Sequence, residues 1–407
     1  MRKLISLFIL FFSFFLSSQE PLFTLVNAEK TGVHFSNNLI DTPESNIFLY
    51  ANYYAGGGVG IGDFDNDGFE DIFFAGNIVE DKIYKNLGDF KFEDKTESSG
   101  IINNGSWSTG VTVADVNNDG LLDIYISCEL YDDAPFLRTN KLYINKGDFK
   151  FIESAKNWGV DVDKRTRHSV FFDYNNDGLL DLYLLNHPPN TGNFSPFFGT
   201  DMTLPEYNLQ LFENMGDHFE DVTEKAGLNR AGFPNAAVIG DFNKDGWADI
   251  YVANDFDAPD FLYFNNKNGS FTYKTESSLR HTSFYSMGVD AADINNDSYL
   301  DLMVLDMTAE DNFRLKSNMS GMNPDSFWNV VNGGGHYQYM FNTLQLNNGN
   351  NTFSDIAQFT GTAATDWSWA SLVADFDNDG NKDIYITNGL LRDIRNTDAD
   401  KKISEII

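Results

Sequence analysis

The chain has 407 residues, of which 60 are Asp or Glu and 28 are Lys or Arg, so its formal net charge at pH 7 is −32. This acidity excludes nucleic-acid binding by counterion release and attraction to anionic membranes, because both need a basic surface. Hydrophobic residues make up 42% of the chain and aromatic residues 15%, which excludes a disordered protein.

Residues 1–18 have the pattern of a secretory signal peptide. Two basic residues precede an apolar run from Leu4 to Leu16, and two serines follow it. We predict that the mature chain begins near Gln19 and is exported to the extracellular space, the cell surface or the periplasm. The alternative is an uncleaved anchor, because the run has the lower limit of membrane-spanning length.

Cys128 is the single cysteine, so an intrachain disulfide is excluded. It lies in the apolar run IYISC, where a small buried hydrophobe is the better interpretation than a reactive thiol. An exported chain without disulfides needs another source of stability, and bound metal ions are the obvious candidate.

An acidic segment recurs along the chain. DFDNDGFEDI begins at Asp63, and related segments begin 52, 58, 68, 52 and 82 residues apart in succession. Their first residues are Asp63, Asp115, Asp173, Asp241, Asp293 and Asp375. Six copies at a minimum spacing of 52 residues indicate a repeat architecture rather than a bias of composition.

Each copy predicts two β-hairpins. Small apolar runs such as GVTVA precede the acidic segment and β-prone runs such as IYIS follow it. A second half, such as KLYINKGDFKFIE, has turn residues between two strand-like runs. Four antiparallel strands repeated in this way predict an all-β fold, a β-propeller of four-stranded blades with metal loops in its hairpins. We assign it to residues 19–395, with 396–407 as a tail or the start of a further segment.

Ring closure is left open between two arrangements. The segment from Phe23 to Phe35 resembles the end of a second hairpin without its beginning, and only 24 residues follow Asp383. An N-terminal strand therefore has the composition to complete the last blade. We predict seven blades, with six as the alternative.

The acidic loops have the pattern D-x-[DN]-x-[DN]-[GS]-x-x-D. Side-chain oxygens at positions 1, 3, 5 and 9, with the carbonyl of position 7, form a donor set that suits Ca²⁺, and Mg²⁺ is the weaker candidate. We predict about six calcium sites. The ligands are Asp63, Asp65, Asp67, Phe69, Asp71, Asp115, Asn117, Asp119, Leu121, Asp123, Asp173, Asn175, Asp177, Leu179, Asp181, Asp241, Asn243, Asp245, Trp247, Asp249, Asp293, Asn295, Asp297, Tyr299, Asp301, Asp375, Asp377, Asp379, Asn381 and Asp383.

Two other interpretations of these loops compete with calcium binding. An EF-hand needs Glu at position 12 between helices, whereas position 12 here is apolar and lies in a strand-like run. A metal-free turn rich in Asp and Asn does not require a further Asp at position 9. Loops one and six carry four Asp, and loop five has Ser298 instead of Gly, so we predict loop five to bind most weakly.

The loops, together with phrases such as GGGVGIGDFDNDGFEDI and TDWSWASLVADFDNDG, resemble FG-GAP/VCBS repeat proteins, a group that includes integrin α-subunit propellers. The resemblance covers about residues 20–395 and extends to secreted bacterial relatives of cartilage acidic protein, often joined to an ASPIC/UnbV module. It implies calcium binding on a propeller, with roles mainly in adhesion or ligand binding.

Two insertions are the best places for recognition. Residues 187–207 carry Phe194, Phe197, Phe198 and Tyr207, and residues 307–340 carry Phe313, Phe327, Trp328, Tyr337 and Tyr339. Such aromatics suit sugar rings or a partner protein, although they equally suit packing against the blades.

The sequence shows no assembled catalytic motif, since its six histidines are scattered and no nucleophile elbow is present. We predict an exported, calcium-binding propeller that acts as a non-catalytic binding or adhesion module for an unknown protein or glycan. The alternatives are an extracellular enzyme acting on polysaccharide and a structural spacer within a longer surface protein.

Overall fold

The structure, a computed structural model, describes residues 22–392 apart from Ala51, Asp132, 189–206, Asp257 and 318–323, together with Asn396. The predicted signal peptide at residues 1–18 lies outside the described residues. So do the predicted tail beyond Asn396 and most of the first insertion, including Phe194, Phe197 and Phe198.

The repeats form the predicted antiparallel sheets. Five sheets have four strands, joined in chain order, and a sixth has two. Sheet one is Val59–Gly62, Asp71–Phe74, Lys82–Asn86 and Phe92–Asp94; sheet two is Trp107–Ala114, Asp123–Glu129, Lys141–Asn145 and Phe151–Glu153; sheet three is Arg165–Phe172, Asp181–His187, Gln210–Asn214 and Phe219–Asp221. Sheet four is Pro234–Gly240, Asp249–Asn254, Phe261–Asn265 and Phe271–Tyr273; sheet five is Val289–Ala292, Asp301–Val304, Thr343–Asn347 and Phe353–Asp355; sheet six is Ser368–Ala374 and Asp383–Asn388.

Short helices that were not predicted from the sequence follow the outer strands. In sheet one the Asp94 carboxylate accepts the Thr96 N–H at 2.9 Å, and Gly100 ends the turn in the left-handed region at φ 86°. The one-turn helices are Ala28–Thr31, Thr96–Ser99, Ala155–Trp158, Thr223–Ala226, Thr275–Ser278 and Ala357–Thr360; a 3₁₀ turn spans Pro135–Leu137.

The second insertion contains secondary-structure elements of its own. It contains the helices Asn312–Ser317 and Pro324–Asn332 and the strand Gln338–Tyr339, which pairs in parallel with Thr282–Ser283. Within the described residues, no helix has the length and apolar character needed to cross a membrane.

The hydrophobic cores lie between successive sheets. Phe73 of sheet one packs in one cluster with Ile124 of sheet two, and Leu184 of sheet three packs in another with Tyr125 of sheet two. Further clusters join sheets three and four, four and five, and five and six. This face-to-face stacking of four-stranded sheets is the architecture of a β-propeller, as predicted. Cys128 is fully buried in the first of these clusters, which confirms its structural role.

The same hydrogen bond joins each of sheets one to four to the next sheet. Phe64, at position 2 of loop one, packs edge to face on Phe151, the first residue of the outer strand of sheet two, at 5.9 Å between ring centroids. Its carbonyl accepts the side-chain N–H of Asn145 at 2.8 Å. Asn214, Asn265 and Asn347 donate to the position-2 carbonyls of sheets two, three and four in the same way. The contact between neighbouring sheets is therefore directional, because the third strand of each of sheets two to five donates to the loop of the preceding sheet.

The N-terminal segment lies between sheet six and sheet one. Phe23 packs edge to face on Phe376, at position 2 of loop six, at 5.6 Å. A Cβ on Gly32 would come within 2.5 Å of the Phe92 carbonyl oxygen, as one on Gly100 would come within 2.7 Å of that of Phe151. The segment thus has the contacts of an outer strand that follows sheet six. Residues 22–27, where the strand was predicted, form no strand in the described structure, and the one-turn helix Ala28–Thr31 follows them as Thr96–Ser99 follows the outer strand of sheet one. The number of blades stays a prediction.

Small residues let the first strand of one sheet approach the first strand of the next sheet closely. The Gly58 Cα faces the backbone of sheet two, where an added Cβ would lie 2.5 Å from the Thr109 carbonyl oxygen and 2.8 Å from the Val111 nitrogen. The glycine-rich run before loop one is therefore a packing feature of sheet one.

We expect Gly58→Ala to lower the free energy of unfolding by about 1–3 kcal/mol, because the added methyl group must push sheets one and two apart. Urea denaturation measures the change. The neighbouring Val59 is 55% exposed, so Val59→Thr is the control and should stay within about 0.5 kcal/mol of the wild-type chain. Equal stability of the Gly58 variant and the control would contradict the close approach.

Candidate metal centres

Every acidic loop is held by its first aspartate. In loop one the Asp63 carboxylate accepts the N–H groups of Asp67 at 3.0 Å and Gly68 at 2.7 Å. The first aspartates of loops two to six make the same pair of hydrogen bonds. Position 6 is left-handed in all six loops, including Ser298 at φ 71°. The loop geometry is thus common to all copies, and the strain expected at Ser298 is present.

The ninth position fastens loops one to five to the rest of their sheets. The fully buried Asp71 accepts the Phe64 N–H at 2.9 Å and, through its other oxygen, the N–H of Asn86 on the third strand at 2.7 Å. Asp123, Asp181, Asp249 and Asp301 repeat both bonds. Position 12 lies in the second strand in every copy, which confirms that these loops are not EF-hands.

Burial makes the charge of these aspartates costly. It raises the pKa of Asp71 to about 6 and the pKa of Asp123, Asp181 and Asp249 to about 7, although two backbone N–H donors act in the opposite direction. The nearby loop carboxylates raise each pKa further. A bound cation would remove this penalty by favouring the ionised form.

The donor set fits a hard cation. Carboxylate oxygens of Asp63, Asp65 and Asp71 lie within 4.8 Å of one another, as do those of Asp375, Asp377 and Asp383 in loop six. The buried Asp65 Oδ1 has no hydrogen-bond partner among the described residues. Loops two to five have Asn at position 3, whose Oδ1 accepts the position-5 N–H at 3.0–3.1 Å. The use of these atoms and of the position-7 carbonyls as ligands stays a prediction.

Two side chains on third strands approach the loops, and neither was predicted from the sequence as a site residue. The Lys85 ammonium contacts Asp65 and lies 2.7 Å from Asp67 Oδ2. Glu213 Oε1 accepts a hydrogen bond from the Asn175 side chain at 3.1 Å. Both side chains belong to the residue directly before the third-strand asparagine. Sheets two, four and five have an apolar residue at this position, so the charge in the other two repeats was a signal that the sequence contained.

Neighbouring loops also touch each other. The side-chain N–H of Asn66 donates to the Gly120 carbonyl oxygen of loop two at 3.0 Å, and longer contacts of the same kind join loops two to three, three to four and five to six. Between loops four and five, the Lys244 ammonium lies 3.9 Å from the ring centroid of Tyr299. The six loops therefore form a continuous arc at one end of the sheets.

The aromatic insertion at residues 307–340 has a packed part and an exposed part. Phe327 stacks on Tyr339 at 5.4 Å, and Tyr339 stacks on Phe341 at 5.8 Å. Trp328 and Tyr337 are 52% and 42% exposed. Phe313 is exposed as well, whereas Tyr207 of the first insertion packs on the core of sheets three and four. In the Trp367-Ser368-Trp369 segment of sheet six, Trp367 and Ser368 are buried.

A buried polar cluster lies at the opposite ends of the strands from the loops. Glu129, the last residue of its strand, accepts a hydrogen bond from Tyr50 and lies 3.5 Å from Arg167 and 3.7 Å from His187. Burial lowers the pKa of His187 to about 4, so this histidine is neutral at pH 7. The cluster joins distant parts of the chain, and sequence spacing gave no signal for it.

Comparison with known proteins finds similarity to cartilage acidic protein 1 from two organisms. Over 235 residues the chain is 24% identical to cartilage acidic protein 1 of Xenopus tropicalis, covering 56% of this chain and 34% of that protein. Over 207 residues it is 25% identical to the human cartilage acidic protein 1, covering 50% and 28%. The chain thus spans about a third of the length of these relatives.

Solved structures show weaker likeness. A lectin of Agrocybe aegerita that recognises non-reducing terminal N-acetylglucosamine matches with a TM-score of 0.43 and 16% identity, over 81% of this chain and 73% of the lectin. The Vibrio cholerae biofilm matrix protein Bap1 matches at 0.32 and 14%, over 62% of this chain and 34% of that one. A family GH43 β-1,3-galactosidase matches at 0.32 and 12%, over 61% and 84%.

The repeats themselves match a described family. The FG-GAP-like repeat is found at residues 63–126, 198–252, 241–304 and 323–386, which together cover more than half of the chain and include five of the six acidic loops. With its four-stranded sheets and their common loop geometry, the chain belongs to the FG-GAP-like repeat proteins.

Proposed function

We propose that this protein is an exported, calcium-stabilised β-propeller that acts as a non-catalytic binding or adhesion module for a protein or glycan ligand. The observation that carries the proposal is the sixfold recurrence of one loop geometry, with Asp at positions 1, 5 and 9 and Asp or Asn at position 3. Export rests on the pattern of residues 1–18. Because the chain spans about a third of its curated relatives, the activity of the whole protein is part of the proposal.

Calcium is the metal that this donor set favours. The side-chain donors are oxygens, and Ca²⁺ accepts six to eight of them in flexible geometry, whereas Mg²⁺ demands a near-ideal octahedron. With 60 acidic residues against 28 basic ones, bound divalent cations would also reduce the self-repulsion of the chain.

The second insertion is the favoured ligand surface. It leaves sheet five at Val304, the end of the strand opposite to the acidic loop, so ligand and calcium would bind at different ends of the sheets. Phe327, stacked on Tyr339, supports the exposed Trp328 and Tyr337 from beneath. Exposed aromatic side chains on an ordered support are typical of protein interfaces and ligand sites.

An extracellular enzyme is the second candidate, and one observation favours it. Glu129 is 1% exposed and lies among Tyr50, Arg167 and His187, an environment that acid–base chemistry also uses. These groups are paired with one another, so the cluster serves equally as a buried structural network. Turnover measured beside binding distinguishes the two functions.

Removal of calcium should lower the melting temperature markedly. A site held at 100 times its dissociation constant adds about 2.7 kcal/mol to the free energy of unfolding, and several sites act together. Differential scanning calorimetry with calcium, with magnesium and with chelator measures the change, and magnesium should restore less stability than calcium. An unchanged melting temperature after verified metal removal would overturn the calcium assignment.

Calcium binding should release protons at pH 6. Metal-free Asp123, Asp181 and Asp249, with a pKa of about 7, hold protons there, and metal binding needs the ionised form. Since these pKa values exceed the unfolded value of about 3.9, their stabilising contribution without metal is complete below pH 4 and is lost as the pH rises through 7.

Isothermal titration in two buffers of different ionisation enthalpy counts the protons. We expect about three at pH 6, about two for Asp123→Asn, and a calcium affinity that increases up to about pH 7. Binding without proton release would show that these three aspartates are already ionised in the metal-free protein.

Trp328→Ala and Tyr337→Ala should weaken ligand binding at least tenfold without lowering the melting temperature, because both side chains are exposed. Glycan arrays and panels of extracellular matrix proteins, with turnover assayed in parallel, are the measurements. Phe359→Ala is the matched control, since Phe359 is 92% exposed in another part of the fold. Equal loss in the control, or loss in neither variant, would remove the insertion from the proposed site.

A further inference from the structure

The residue before the third-strand asparagine has a fixed place beside each loop. In sheets one to five this asparagine donates its backbone N–H to the position-9 aspartate at 2.7–2.8 Å. The preceding residues are Lys85, Ile144, Glu213, Phe264 and Leu346. Ile144 and Phe264 are buried in the cores shared with the next sheet, so an apolar side chain is the ordinary occupant. Sheets one and three have opposite charges there.

Lys85 places a positive charge inside loop one. Its Nζ contacts Oδ2 of Asp65 and lies 2.7 Å from Oδ2 of Asp67, the carboxylates at positions 3 and 5. The Lys85 side chain is 21% exposed and its ammonium lies 5.5 Å from the Phe149 ring centroid of sheet two, so the contact belongs to the packed structure. An ammonium group between two predicted ligands neutralises the carboxylate charge that a bound metal ion would otherwise neutralise.

Glu213 places a negative charge beside loop three. Its Oε1 accepts a hydrogen bond from Asn175 Nδ2 at 3.1 Å, while Asn175 Oδ1 accepts the Asp177 N–H at 3.1 Å. The Glu213 side chain is 20% exposed, and its other oxygen lies 3.6 Å from Lys225, which is 68% exposed. Loop three has one Asp fewer than loop one, so Glu213 restores the fourth carboxylate near the site and orients the position-3 amide.

We propose that Lys85 and Glu213 set unequal cation affinities along the arc of loops: Lys85 is an internal competitor that weakens loop one, and Glu213 is a positioning residue that strengthens loop three. The inference rests on the proposed calcium binding. Loops one and six have the same Asp at positions 1, 3, 5 and 9, so ligand charge alone makes them equal. With Lys85 counted, loop one binds more weakly than loop six.

The sequence offers a probe for individual loops. Asp-Gly occurs at only five places, Gly68, Gly120, Gly178, Gly246 and Gly380, which are position 6 of every loop except loop five. Labelling Asp at the carbonyl carbon with ¹³C and Gly at nitrogen with ¹⁵N therefore gives five carbonyl-filtered amide signals from the full chain. Each signal comes from an N–H that donates to the first aspartate of its own loop. Calcium titration followed through these signals reports one midpoint per loop.

In the wild-type chain, the calcium concentration at the midpoint of the Gly68 titration should be higher than that for Gly380. Lys85→Ile, which introduces the side chain found in sheet two, should lower the Gly68 midpoint about tenfold, whereas Lys85→Arg should leave it high. Glu213→Gln should raise the Gly178 midpoint several-fold. Ile144→Lys is the converse control and should raise the Gly120 midpoint. The midpoint of Gly246 should stay constant throughout.

A Gly68 midpoint that is unchanged or higher in Lys85→Ile would overturn the competitor role, since the lysine would then be neutral or supportive. An unchanged Gly178 midpoint in Glu213→Gln would overturn the role of Glu213. If the five wild-type signals do not respond to calcium, the proposed function fails instead. If Gly120 and Gly380 respond while the variants have no effect, only this inference fails. A calcium-free spectrum with wild-type dispersion verifies that each variant is folded.

Discussion

The buried carboxylate at position 9 of loops one to five is the interaction on which the fold depends. In sheet two the oxygens of Asp123 accept one N–H from the loop and one from Asn145 on the third strand. The Asn145 side chain then donates to the carbonyl of Phe64 in sheet one. One aspartate therefore fixes the loop, the second hairpin and, through the asparagine, the distance to the neighbouring sheet. Burying this carboxylate in its ionised form is unfavourable, and a cation bound at the loop would offset that penalty.

This arrangement explains why the loops were recognisable in the sequence. All atoms that shape a loop lie within nine residues, so Asp63, Gly68 and Asp71 carry their geometry in their spacing. The sheets were equally predictable, because turn residues and apolar runs alternate locally. The family follows from the same residues. For these features, local chemistry and the final structure agree.

What the sequence did not reveal depends on contacts between distant residues. Lys85 meets Asp65 only because the third strand is in one register with the second, and Tyr50 meets Glu129 across 79 positions. The one-turn helices were missed because four residues give no periodic signal. The N-terminal segment was correctly expected near the last sheet, where Phe23 packs on Phe376, but residues 22–27 form no strand in the described structure.

The directional contact between sheets has a consequence for the origin of the fold. Each unit presents a loop with its position-2 residue on one side and an outer hairpin with its asparagine on the other. A unit of this kind is complementary to a copy of itself in a head-to-tail manner, so duplication of its gene adds a compatible neighbour without new surface residues. Head-to-tail assembly stops only when the rotation between units closes a ring. The angle between adjacent sheets, rather than any single residue, therefore limits how many duplications the fold can absorb.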